Sequence, residues 1–132
     1  MSILTKHEQR TLLALELQSI ATRTSTDIQN SYGHGLTLVV TLANKAGTVT
    51  FTPVVQGKTP GGAYYALWTA AAALSANGTY IYQLTPIAVS NSSGITESKI
   101  ALLPTIFRVV MTYSGAGGGN AFDTTVEADV LV

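Results

Sequence analysis

The chain reads as an all-β protein, a single β-sandwich of jelly-roll or Greek-key-like wiring with about seven or eight antiparallel strands. Three observations predict this. Apolar residues alternate with Thr, Gln and charged residues at period two over most of the sequence. Turn clusters separate the runs at regular intervals: SYGHG (31–35), NKAG (44–47), GKTPGG (57–62), SANG (75–78), SNSSG (90–94) and SGAGGGN (114–120). At 132 residues the chain is one domain, large enough to bury roughly two-thirds of its unfolded surface.

The N-terminal region is the ambiguous element. KHEQRTLLALELQSI fits a helix with Leu13, Leu17 and Ile20 on one stripe, or a strand with Leu13, Leu15 and Leu17 on one face. The Thr-rich continuation ATRTSTDIQN opposes a helix, which favours a strand over 11–24 after a docking arm of residues 1–10; the sandwich domain then covers 11–132. In 36–43, Leu36, Leu38, Val40 and Leu42 point one way; in 48–56, Val49, Phe51 and Val55 do. Residues 64–74 and 79–85 follow, with Tyr64 sharing a face with Trp68, and Tyr80 with Tyr82 and Leu84. The stretch 86–105 is a long crossing with a weak strand at 98–101, the kind of link Greek-key wiring needs.

Strand 106–113 turns Phe107, Val109, Met111 and Tyr113 inward. The final strand, 121–132, turns Phe122, Thr124, Val126, Ala128, Val130 and Val132 inward and Asp123, Thr125, Glu127 and Asp129 outward. A hairpin between these two, with Tyr113 opposite Phe122, Val109 opposite Val126 and Arg108 opposite Glu127, makes their core faces agree.

Composition narrows the function classes. Seven basic and seven acidic residues cancel with no charge run, which leaves no footprint for nucleic acid or an anionic membrane. Only 11% of residues are charged, against about a quarter in an average soluble domain. Such a surface is covered by Thr, Ser, Gln and Asn, or is buried against partners. The absence of cysteine removes disulfides, thiolate metal sites and thiol nucleophiles. The start, MSILTKHEQR, lacks the pattern of a signal peptide, and ALWTAAAALSA is too short to span a bilayer.

The Gly57-Lys58-Thr59 triplet invites comparison with a phosphate-binding loop. That loop needs a glycine where Thr52 stands and a helix after the lysine, whereas Pro60-Gly61-Gly62 and Tyr64-Tyr65 follow. A turn between strands is expected, with Pro60 fixing φ and Gly61 supplying positive φ. His7 and His34 have no partner at catalytic or zinc spacing, and the G-x-S-x-G elbow is missing. Asp27, Asp123, Glu127 and Asp129 read as solvent-face charges that keep strands soluble. No catalytic, cofactor or metal residue is assigned, and the chain is expected not to be an enzyme. Trp68 with Tyr64 and Tyr65 reads as core, or as a sugar-stacking platform if exposed.

The run VTFTPVVQGKTPGGAYYAL, then LPTIFRVVMTY, a glycine-rich tip and an alternating last strand resembles small virion proteins of tailed phages and prophages, over about residues 11–132. The resemblance implies a capsid cement or decoration protein, made in the bacterial host cytoplasm, carried on the virion and bound to the major capsid protein outside the shell. In such proteins trimers are common, and no catalytic residues carry over. The expected partner-binding positions are Lys6 and Arg10 in the arm, Lys58, Pro60 and Gly61 at one tip, and Gly117 and Gly118 at the other. The alternative function is a receptor- or glycan-binding module of a phage tail or head fibre.

Overall fold

The computed structural model describes residues 8–30, 35–86, 94–115 and 119–131. These form ten strands and no helix: β1 (Glu8–Ser19), β2 (Arg23–Thr24), β3 (Ile28–Gln29), β4 (Gly35–Ala46), β5 (Thr50–Lys58), β6 (Tyr64–Thr69), β7 (Gly78–Thr85), β8 (Glu97–Ile100), β9 (Ile106–Ser114) and β10 (Ala121–Leu131). One sheet runs β1-β10-β4-β7-β8 and the other β2-β9-β5-β6, with β3 also on β9. The pairings are antiparallel except β7 with β8, which is parallel. The fold is therefore the all-β sandwich that the alternation predicts.

The period-two faces become the core between the sheets. β4 contributes Leu36, Leu38, Val40 and Leu42, β10 contributes Phe122, Val126 and Val130, β5 contributes Phe51 and Val55, and β9 contributes Phe107, Val109 and Met111, all buried. Burial of each large apolar side chain contributes about 1.5–3 kcal/mol. Phe51 is the hub at one end, edge-on to Tyr113 at 5.5 Å and tilted against Phe122 at 6.2 Å.

The expected hairpin between the last two long strands is corrected. β9 and β10 lie in different sheets. Val109 faces Val55 across the ladder, Arg108 faces Gln56 and Tyr113 faces Phe51. Val126 instead sits between Val40 and Leu13. The parity of the two strands was right, but parity is satisfied by any neighbour whose core face matches. It therefore did not distinguish a hairpin from a crossing.

The N-terminal segment also departs from expectation. Strand pairing begins at Glu8, so residues 8–10 belong to β1 and Arg10 pairs with Ala128. The rest of the arm, with Lys6 and His7, lies outside the described residues, as do His34, Gly117, Gly118 and Val132. The continuous strand 11–24 is broken at 20–22. β1 closes the first sheet, while β2 and β3 lie along β9 in the second.

Within β1 the period of two fails as well. Between Leu13 and Ser19 the pairing runs Leu13 with Val126, Glu16 with Thr124, Ser19 with Phe122: three residues of β1 for every two of β10. Each step is a β-bulge, and a bulge re-aims the side chains after it. Leu13 stays buried, while Leu15 and Leu17 are turned outward with 64% and 67% exposure.

A bulge also separates Tyr64 from Trp68. Val55 pairs with Trp68 but Gln56 with Ala66, so one extra residue lies between them on β6. Tyr64 therefore faces out opposite Lys58, and Trp68 faces in opposite Val55. Strand 64–74 ends early at Thr69, beyond which Leu74 and Phe51 exchange backbone hydrogen bonds of 2.7 and 3.1 Å. The weak strand expected at 98–101 is β8, one residue earlier.

Candidate functional site

Two surfaces, at opposite ends of the strands, gather the polar and apolar groups not absorbed by the core. The first is built by the β5–β6 turn. The Gly62 N–H donates to the Thr59 carbonyl at 2.9 Å and the Ala63 N–H to Thr59 Oγ1 at 3.0 Å, closing a turn with Pro60 and Gly61 at its centre. Positive φ falls on Gly62, at 92°, rather than on Gly61 as expected. Lys58, Pro60 and Gly61 do come together, lining a shallow groove with Pro104, Thr105 and Ile106.

Behind the turn stands a charged cluster. Lys58 Nζ donates to Asp27 Oδ2 at 3.0 Å and Tyr64 Oη to Asp27 Oδ1 at 2.7 Å. The Arg108 guanidinium stacks 3.4 Å from the Tyr64 ring centre, while its Nε donates to Gln56 Oε1 at 2.7 Å. The Tyr64 hydrogen bond, then Lys58, hold the Asp27 carboxyl below its ordinary range, and Asp27 raises Lys58 in turn. Lys58 is thus occupied within the chain. It ties the 25–30 segment to the β5–β6 edge and is not poised for a phosphate.

The second surface lies where β4, β10 and β1 meet. Leu17, Gln18, Ile20, Asn44, Ala46, Gly119, Ala121 and Asp123 line a groove of about 560 Å³. Asp123 was expected to face solvent. Instead it is only 8% exposed, because the strands on both sides of it bulge. Its Oδ1 accepts the Gln18 N–H at 2.8 Å and its Oδ2 accepts Asn44 Nδ2 at 2.6 Å. Gln18 and Asn44 both adopt positive φ, 53° and 52°, a conformation uncommon outside glycine. One carboxylate thus fastens two bulges. The Asn44 hydrogen bond, then that from Gln18, lower the Asp123 pKa, so it is ionised at neutral pH.

The rim of that groove is apolar. Leu15 and Leu17 on the edge strand β1, and Ile20 just after it, are each about two-thirds exposed. Arg23, reaching over from the other sheet, holds them in place. Its Nη2 donates to the Ala14 carbonyl at 2.7 Å, its Nη1 to Thr124 Oγ1 at 2.8 Å, and its Nε pairs with Glu16 at 2.7 Å. The Ser19 and Thr124 hydroxyls share a hydrogen bond of 2.7 Å beneath. Sequence reasoning missed this surface, since a regular strand puts Leu13, Leu15 and Leu17 on one face. The Thr- and Ser-rich segment after Ile20 gave no signal for it, since Thr22 and Ser25 accept the Tyr113 and Val109 N–H groups of β9 and only Arg23 reaches β1. The opposite edge, at β8, exposes Ile100 and, just beyond, Leu102.

Trp68 is 4% exposed, packs 4.9 Å from Tyr82 and donates its indole N–H to Glu97. It is a core residue, so the exposed Tyr64 and Tyr65 do not share a platform with it. Gly57 is where Tyr65 lies flat on the backbone: a Cβ there would stand 2.5 Å from the ring. Among the described residues no group of three or more His, Asp or Glu could hold a metal ion, and no helix is long and apolar enough to cross a membrane. Comparison with protein-family models, with curated proteins and with solved structures found no match.

Proposed function

We propose that the chain is a non-enzymatic structural protein of a phage particle, a cement or decoration protein that seats on the major capsid protein and associates with copies of itself. The observation that carries this reading is the exposed apolar group of Leu15, Leu17 and Ile20, on and just beyond edge strand β1, which Arg23 and Ser19 tie to Thr124 of β10. Edge strands are ordinarily guarded by charge, and exposed apolar residues grouped on one mark contact surfaces. Here the edge charge Glu16 is neutralised by Arg23. The resemblance of the 49–67 and 103–113 segments to small virion proteins supports the same reading. Binding at many lattice sites stabilises a shell by mass action without any catalytic group.

The test is quantitative mass spectrometry of purified particles, scaled to the major shell protein. Hundreds of copies per particle are expected. A handful would favour a tail or fibre module, and none would overturn the virion reading.

A further inference from the structure

We propose that the Asp123 groove receives the N-terminal segment of a second copy of this chain, with Lys6 against the Asp123 carboxylate and Ile3 and Leu4 against Leu17 and Ile20. The inference rests on the self-association part of the reading above and not on the shell. Three observations lead to it.

The first is charge. Asp123 is ionised and covered, yet the ion pairs among the described residues are Arg23 with Glu16 and Lys58 with Asp27. Two of its lone-pair sites are taken by Gln18 and Asn44. A carboxylate has about four, so it can accept a further donor from the groove. The second is shape. Anionic floor and apolar rim together match a side chain with an aliphatic stem and a cationic head, followed or preceded by apolar residues. The sequence ahead of β1, Met-Ser-Ile-Leu-Thr-Lys-His, has that chemistry.

The third is reach. Lys6 is two residues before Glu8, hence within about 7 Å of it along the chain. Glu8 pairs with Val130 at one end of β10, whereas the groove lies at the other end, beside Ala121. The stretch of β10 alongside, from Val130 to Asp123, spans roughly 23 Å, more than Lys6 and its side chain can bridge from Glu8. A chain therefore cannot fill its own groove, and the occupant comes from a neighbour stacked end to end. Such a contact is heterologous and closes into a ring when the rotation between copies permits.

Sedimentation equilibrium on the full chain tests this, with Lys6→Met, the pair Leu17→Ser with Ile20→Ser, and Asp123→Asn. The first two alter only the arm and exposed rim residues, so they keep the test sound should Asp123→Asn fail to fold. The wild type is expected to associate. Lys6→Met and the Leu17/Ile20 pair are each expected to weaken association about tenfold or more. A synthetic peptide of residues 1–7 is expected to compete. A monomeric wild type, or association unchanged in both of those variants, would overturn the inference. Copy number on particles is read separately, so a monomer abundant on the shell refutes this inference and leaves the cement reading standing.

Discussion

Tyr82 carries a hydroxyl that its surroundings do not satisfy. The side chain is buried against Trp68, and its Oη has no hydrogen-bond partner. Burial, with Glu97 nearby, pushes its pKa far above the usual tyrosine range. An unsatisfied buried hydroxyl costs roughly 1–3 kcal/mol, and removing it keeps the ring contacts. Tyr82→Phe is therefore expected to raise stability by about 1 kcal/mol, read as a higher urea midpoint at unchanged slope. Gly47 lies at the opposite extreme. Its φ is 74°, and a Cβ would collide with Asn120, whose Oδ1 accepts the Thr48 N–H. Gly47→Ala should cost about 1–3 kcal/mol in the same measurement.

Acid sensitivity also belongs to single residues. Asp27 and Asp123 are both held below the ordinary 3.8, so folding favours their ionised forms. Their contribution is complete above about pH 4 and is lost as pH falls through the folded values. Lys58 is raised above 10.5, so its share is whole below that pH and is lost above it. Asp27→Asn with Asp123→Asn is expected to lower stability at neutral pH and to flatten its fall between about pH 4 and 2. Chemical denaturation across that range checks both slopes.

At the scale of elements, the ease of reading follows regularity. β5, β7, β9 and β10 keep period two, as does β4 as far as Leu42, and their buried faces are those marked by Leu36 to Leu42, Phe51 with Val55, and Phe122 to Val130. β1 was misread because its bulges change three residues for two, and a bulge arises from tertiary pairing that local alternation does not record. The same reason inverted Tyr64 relative to Trp68. The groove was illegible because it is assembled by Leu17, Asn44 and Asp123, residues joined only by the sheet. The turn at Lys58, Pro60 and Gly61 was legible as a turn because Pro-Gly chemistry is local.

β1 depends on one cation in the other sheet. Arg23→Ala removes its hydrogen bonds to Ala14 and Thr124 and its pairing with Glu16. Loss of such charged hydrogen bonds is expected to cost about 1–3 kcal/mol. Amide exchange should accelerate first at 14–19, while β5 and β9 stay protected; uniform acceleration would count against the clamp.

The whole molecule is joined by pairings distant in sequence. Glu8 meets Val130, Asp27 meets Tyr64, and β2 and β3 meet β9. Topologies of this kind fold in milliseconds to seconds, because loops must close before their contacts form. Stopped-flow refolding is expected in that range.

β10 lies between β4 and β1, so the slot it fills exists before its occupant does. At about 5–20 residues per second, roughly 4–17 s of synthesis separate the completion of β4 at Ala46 from that of β10 at Leu131. Until β7 is made, β4 has neither partner, and from Thr85 to Leu131 its β10 side, with Leu36, Leu38 and Val40, is still unmatched. Crowded ribosomes on one message then hold several such edges side by side. The yield of folded protein should consequently depend on chaperone supply and translation speed more than on the stability of the finished sandwich.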